Sequence, residues 1–326
     1  MRTRYPIPAV FLIFAVALYL LPSPTQRFDI ENALLHAQAK ERSGKLGEAI
    51  AAYQKIVSED PESVQAQAGL GRVYYRAGRF HDAASGFERA LEIQPGAMET
   101  LRWLAMCYLQ EKEPQKVIAL FPPQNGDTDP VWVHTLRARA YDAQDQTDQA
   151  VAELERALAL EPRLPEAHFA IGFIMWSIGD RAAAERQFRE ELSVNPSHTA
   201  SWFYLSEILA ADGKLEEADG ILKRLAEDAP GSSLAHFGLG KMAERKSDPQ
   251  AAADYFRRAI EIDPSSPEAH YHLGKALRKL GRLNEANEEY RKSRDLQSSA
   301  GRNLTPHGMG RIRLKLPDLS EFTPCE

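Results

Sequence analysis

The chain has 326 residues, 44% of them hydrophobic, and a formal net charge of −6. That is enough apolar mass for a sizeable core, and the acidic balance argues against a general nucleic-acid binder, which needs a basic field. Its two cysteines, Cys107 and Cys325, make neither a metal-ligand pattern nor a disulfide framework.

The N-terminal stretch differs in kind from the rest. Arg2 and Arg4 precede an uncharged apolar run of 15 residues, Ile7 to Leu21. A basic segment followed by such a run fits the hydrophobic region of a secretory signal. It is shorter than the roughly 20 residues expected of a spanning helix. The run closes on Leu20-Leu21-Pro22-Ser23-Pro24 without an Ala-x-Ala site, and proline near the scissile bond disfavours cleavage. Residues 1–28 therefore read as an uncleaved N-terminal membrane anchor with its linker, holding the rest of the chain on the outer, extracytoplasmic side. The alternative is a signal that is cleaved and a chain that is secreted. Both readings take the positive residues ahead of the run as the inner flank. Residues 22–29 read as the linker.

From residue 29 to 300 the chain repeats itself. Pro196, Pro230 and Pro264 lie 34 residues apart, and fixed-period self-similarity governs the fold reading before any single element does. Numbering each unit so that these prolines fall at position 32, eight units tile the stretch. Position 8 is small: Ala37, Gly71, Ala105, Ala138, Gly172, Ser206, Gly240 and Gly274. Position 20 is Ala49, Ala83, Val117, Ala150, Ala184, Ala218, Ala252 and Ala286. Position 24 is large and apolar: Tyr53, Phe87, Phe121, Leu154, Phe188, Leu222, Phe256 and Tyr290. Within each unit, two runs of helical periodicity flank a break such as Gly-Asp, Gly-Lys or Gly-Arg. Small residues let the paired helices approach, the large one fills the space beside them, and the proline ends the second helix. One hairpin cannot bury its apolar face alone, whereas stacked hairpins bury a continuous core.

This pattern resembles the tetratricopeptide repeat family. The second unit matches best, with Leu70, Gly71, Tyr74, Ala83, Phe87, Ala90 and Pro95. The resemblance implies an all-α, right-handed superhelical solenoid of about eight helix hairpins, preceded here by an N-terminal hydrophobic helix. It also implies that first helices line a concave face and that the protein binds other proteins. With its leader, the chain is more similar to bacterial envelope scaffold proteins of this family than to cytosolic co-chaperones.

Unit three, 98–130, is one residue short and loses its closing pattern at Phe121-Pro122-Pro123, so its second helix is the degenerate one. The breaker running to Pro130 reads as an irregular loop within a continuous stack, because Trp132 to Pro162 resumes the phase at once. The outer helix of unit eight is rich in charge, as suits the end of a stack. The tail 301–326 reads as irregular, with Arg311-Ile312-Arg313-Leu314-Lys315-Leu316 alternating as a short strand would.

No glycine-rich phosphate loop, His-Glu-x-x-His or Gly-x-Ser-x-Gly is present, and the reading is of a non-enzyme without cofactor or metal. His134, His168, His236 and His270 all fall at position 4, a full repeat apart, and read as rings packing between helices rather than converging ligands. Cys107 reads as a small core or groove residue.

The resemblance implies that positions 2, 5, 9 and 12 of each first helix line the groove. Position 5 is Leu34, Ala68, Arg102 and Thr135 in the first half, then Phe169, Phe203, Phe237 and Tyr271. Phe173 and Trp176 add to this ladder in unit five, and Lys241, Lys275 and Arg278 supply charge beside it. Aromatics recur at binding hot spots, so these nine residues form the candidate partner-binding groove, with Phe203 and Phe237 as its anchors. The ladder could instead bury against neighbouring units, and the charge could be a solvated face. Position 9 lacks the asparagine that the carboxylate clamp of chaperone-binding members requires. The partner implied is a protein or peptide, with membrane attachment through the N-terminus. Two functions stand open: an envelope scaffold or adaptor, and a substrate-capturing accessory module for an enzyme, holding an extended peptide or a glycan chain.

Overall fold

The computed structural model describes residues 24–123 and 129–299. The apolar leader, the strand-like Arg311–Leu316 pattern and Cys325 lie outside these residues. The described residues form sixteen helices, paired into eight hairpins, in two compact units divided between Pro122 and Pro123. The first unit holds α1 (Pro24–Arg42), α2 (Leu46–Glu59), α3 (Val64–Arg76), α4 (Phe80–Ile93), α5 (Met98–Gln110) and α6 (Pro114–Leu120). The second holds α7 (Val131–Asp142), α8 (Thr147–Leu160), α9 (Ala167–Ser177), α10 (Arg181–Val194) and α11 (Thr199–Ala211). It continues through α12 (Leu215–Asp228), α13 (Ser233–Arg245), α14 (Pro249–Ile262), α15 (Pro267–Lys279) and α16 (Leu283–Ser299).

One expectation is corrected. Residues 24–29 are the first turns of α1 rather than a linker, since Pro24 stands at the helix start, where a missing N–H is tolerated. The breaker, whose residues 124–128 lie outside the described residues, falls where the chain divides into its two compact units. The helix before it, α6, is short. Pro114 starts it and Pro122-Pro123 stop it after seven residues. Phe121, just past its end, is still buried as the position-24 residue should be. No described helix is long and apolar enough to cross a membrane.

Each hairpin turns through one left-handed residue at position 15. It is glycine at 44, 78, 179, 213 and 281, and Lys112, Asp145 and Ser247 in the other three, with φ of 61°, 59° and 59°. After the turn, a backbone N–H donates to the carbonyl five residues back, as from Arg79 to Tyr74 at 2.9 Å and from Asp180 to Met175 at 2.9 Å. That bond satisfies an otherwise orphaned carbonyl at the end of the first helix.

The core is built on position 24. Its side chain lies over position 8 of its own hairpin, and a β-carbon on Gly172 would stand 2.8 Å from Cε1 of Phe188. On the other side it meets position 6 of the next hairpin, which the sequence reading did not single out. Phe87 stacks on Trp103 at 6.0 Å and Phe188 on Tyr204 at 5.4 Å, while Phe256 meets His272 at 5.3 Å. Where position 6 is glycine, the large residue presses on backbone, as Leu222 does at Gly238.

The position-4 histidines pack singly, as expected. His134, His168 and His270 reach position 23 of their own hairpins, at Glu153 (2.7 Å), Gln187 (2.8 Å) and Glu289 (2.5 Å). Cys107 is buried, and that burial pushes its thiol up to about 12, so it is no nucleophile at neutral pH.

Candidate partner-binding surface

The surface in question is the line of first helices α9, α11, α13 and α15 in the second unit. The helix α9 starts unusually. Ser63, Ser232 and Ser266, all at position 34, cap the following first helices through their hydroxyls. Leu164 stands at that place before α9, and the cap falls instead on Glu166, with a left-handed φ of 63°. The missing bonds are supplied from α10: the Glu191 carboxylate accepts from the backbone N–H of Glu166 at 3.2 Å and of Phe169 at 3.3 Å. Glu191 is fully buried, and its charge faces the positive end of the α9 dipole.

So anchored, α9 presents Phe169, Phe173 and Trp176, all half-buried, around the buried Tyr204 of α11. Their ring centroids lie 6.0, 5.4 and 6.1 Å from that of Tyr204. Burial holds the Tyr204 phenol well above its ordinary range, with the carboxylates of Glu207 and Glu268 adding to the shift. The patch offers apolar faces with little conformational freedom to lose.

The two expected anchors are not on this surface. Phe203 is 2% exposed and Phe237 7%. Their rings turn into the stack, 6.0 Å from each other, and Phe237 continues to Phe256 at 5.6 Å. The Lys241 ammonium lies 5.9 Å from both ring centroids and covers them, within the range of a cation–π contact. They are core residues between hairpins. Only Tyr271, 51% exposed, keeps position 5 open to solvent.

The cations are largely neutralised along the row. Lys241 pairs with Glu207 of α11, and Lys275 of α15 lies 3.5 Å from Glu244 of α13. Glu244 also meets His272 at 2.8 Å. Burial alone would raise the Glu244 carboxyl, but His272 and Lys275 outweigh it and hold it below the usual range. Arg278 is exposed at the end of α15. The structure thus brings together Phe169, Phe173 and Trp176, sets Lys241 and Lys275 in ion pairs, leaves Tyr271 and Arg278 open, and buries Phe203 and Phe237. Glu191, Tyr204, Glu207 and His272 were missed. The 34-residue step from Glu207 to Lys241, opposite charges at one repeat position, was the available signal for one of them.

Tetratricopeptide repeat models match residues 34–97, 70–121, 176–233 and 267–299, and a TPR repeat model matches 138–179 and 243–281. The chain belongs to the tetratricopeptide repeat family. This TPR chain is 24% identical over 213 residues to anaphase-promoting complex subunit 3 of Schizosaccharomyces pombe, covering 64% of this chain and 32% of the relative. It is 26% identical over 209 residues to a peroxisomal targeting signal receptor of Kluyveromyces lactis, covering 60% and 36%. The chain thus spans about a third of the length of these curated relatives. A crystal structure of a tetratricopeptide repeat protein from Parabacteroides merdae superposes with a TM-score of 0.60, 16% identity and coverage of 76% of this chain and 98% of that one. That likeness bears on fold alone.

Proposed function

We propose that this TPR protein is a scaffold or adaptor in an envelope assembly, binding a partner peptide or helix on the first-helix face of its second unit, and is not an enzyme. The observation that carries the binding half is the α9 patch: Phe169, Phe173 and Trp176 left half-open around Tyr204, on a helix whose start is held by a buried carboxylate. A rigid aromatic patch beside a row of paired charges suits hot-spot contacts surrounded by a polar rim. The names of the relatives, a complex subunit and a targeting-signal receptor, support a binding role. The envelope half rests on Arg2 and Arg4 ahead of the apolar run from Ile7 to Leu21. We take that run as a membrane anchor with the repeats on the outer side.

The test is affinity capture of the full chain from detergent-solubilised membranes, with and without Phe173→Ala and Trp176→Ala. The expected result is a co-purifying protein complex that each variant weakens by about 2 kcal/mol or more, as for a hot spot, with helical content intact. Retention of the complex by both variants would place the site elsewhere. Capture of glycans or free peptides instead of a protein would favour the substrate-holding role. The location is tested by fusing residues 1–30 to a reporter active only outside the cytoplasm, where a silent reporter sinks it.

A further inference from the structure

The charge pattern along the first helices changes at one step of the stack. Between α11 and α13 it closes: Glu207, at position 9, pairs with Lys241 at position 9 of the next hairpin and stands 3.9 Å from Arg245 at position 13. One hairpin on, the same positions set Lys241 against Lys275 and Lys279, with no acid at position 9. Glu244 takes Lys275 from position 12 and shares itself with His272. The side chains of Arg278 and Lys279 are exposed and form no ion pair or hydrogen bond among the described residues. Glu268, the remaining acid on this face, stands at position 2 near the start of α15, a turn or more before Lys275 and Arg278. Tyr271, Lys275 and Arg278 stand four and then three residues apart, which puts them in one stripe on α15.

We infer that this stripe of α15 docks an acidic segment of a protein partner, its carboxylates meeting Lys275, Arg278 and Lys279 while a flanking apolar side chain lies on Tyr271. The inference rests on the reading of the first-helix face as the partner surface and adds the chemistry of the segment it takes. Charge complementarity selects the occupant. A basic segment would set like charges together, and an apolar one would strip water from two exposed cations without replacing it. Side-chain carboxylates suffice, so the segment can be internal to the partner.

The probe is a short fluorescein-labelled peptide of glutamate, aspartate and phenylalanine, titrated into the full chain in detergent and followed by fluorescence anisotropy. Its counterpart carries lysine in place of the acids. The acidic peptide should bind and the lysine peptide should not. Raising the salt should weaken binding, since these charges are solvent-exposed and screened within about 10 Å at 0.1 M ionic strength. Replacing Arg278 and Lys279 together by glutamine, which keeps helix propensity, should weaken it roughly tenfold with unchanged circular dichroism. Equal binding of the two peptides, or indifference to the glutamine pair, overturns the inference. Tighter binding after deletion of 301–326 would assign the strip to the chain's own acidic stretch from Asp318 to Glu326 and overturn the partner assignment. If Trp176→Ala loses the captured partner while the glutamine pair retains it, the groove reading stands and this inference falls. If both variants retain it, both fall.

Discussion

Position 24 is the residue on which the packing of each hairpin is built, and its neighbours set what the chain tolerates. Gly172→Leu would drive a side chain into the Phe188 ring, already 2.8 Å from where a β-carbon would sit. Overpacking of this kind costs about 1–3 kcal/mol, so the variant should unfold at lower denaturant, with the loss greatest in α7 to α12 by hydrogen exchange. Unchanged unfolding would show that position 8 is not a packing site. Glu268 offers the opposite sign. Burial raises its carboxyl, backbone and Ser266 hydrogen bonds only partly opposing, and one carboxylate oxygen is buried without a hydrogen-bond partner. Its folded pKa lies above the unfolded one, so the folded chain binds that proton more tightly and gains stability as pH falls through the folded pKa. Glu268→Gln should therefore stabilise at pH 7 and lose that advantage near pH 4, read as paired melting temperatures; a constant difference across pH would refute it.

Among elements, the hairpin turn and the α9 start carry distinct expectations. A left-handed residue with a β-carbon costs roughly 1–2 kcal/mol relative to glycine. Lys112, at φ 61°, is one of the three non-glycine turns, so Lys112→Gly should raise stability by up to about 1 kcal/mol after the entropy that glycine adds to the unfolded chain. A loss of stability on chemical denaturation would mean that the lysine side chain matters more than the turn. Glu191 is buried and holds two backbone N–H groups of α9. Removing a buried acceptor leaves those donors unsatisfied at about 1–3 kcal/mol. Glu191→Ala should thus speed amide exchange at Glu166 and Phe169 more than elsewhere in the second unit, whereas Gln, which keeps one acceptor oxygen, should lose less. Uniform exchange across the unit would show a general packing effect.

At the scale of the whole molecule, the described residues form two compact units that divide between Pro122 and Pro123. Repeat stacks are stabilised by each hairpin and by its nearest neighbours. Residues 129–300, which hold five complete hairpins, should accordingly fold alone, with helical circular dichroism and a cooperative melt. A fragment that melts without a transition would show that the first unit is required.

The repeat period, the hairpin pairing and the core positions 8, 20 and 24 were legible in the sequence alone, because they are set by spacing and side-chain size. Position 8 had to be small wherever a ring lay over it, so Gly172 and Gly240 declared themselves without coordinates. The truncated α6 was likewise written in Pro114 and Pro122-Pro123, since proline acts on its own backbone. What only the tertiary structure decided were relations between hairpins. Phe203 turns inward beneath Lys241 of the next first helix, which also lies over Phe237 of its own helix while pairing with Glu207. The packing role of position 6 depends on a neighbour 16 residues earlier in the chain, as Tyr204 on Phe188. The acceptors for the first N–H groups of α9 come from Glu191, 22 to 25 residues away. Such contacts follow from how one hairpin is seated on the next, and periodicity states which residues are equivalent without stating which of their faces the neighbour covers.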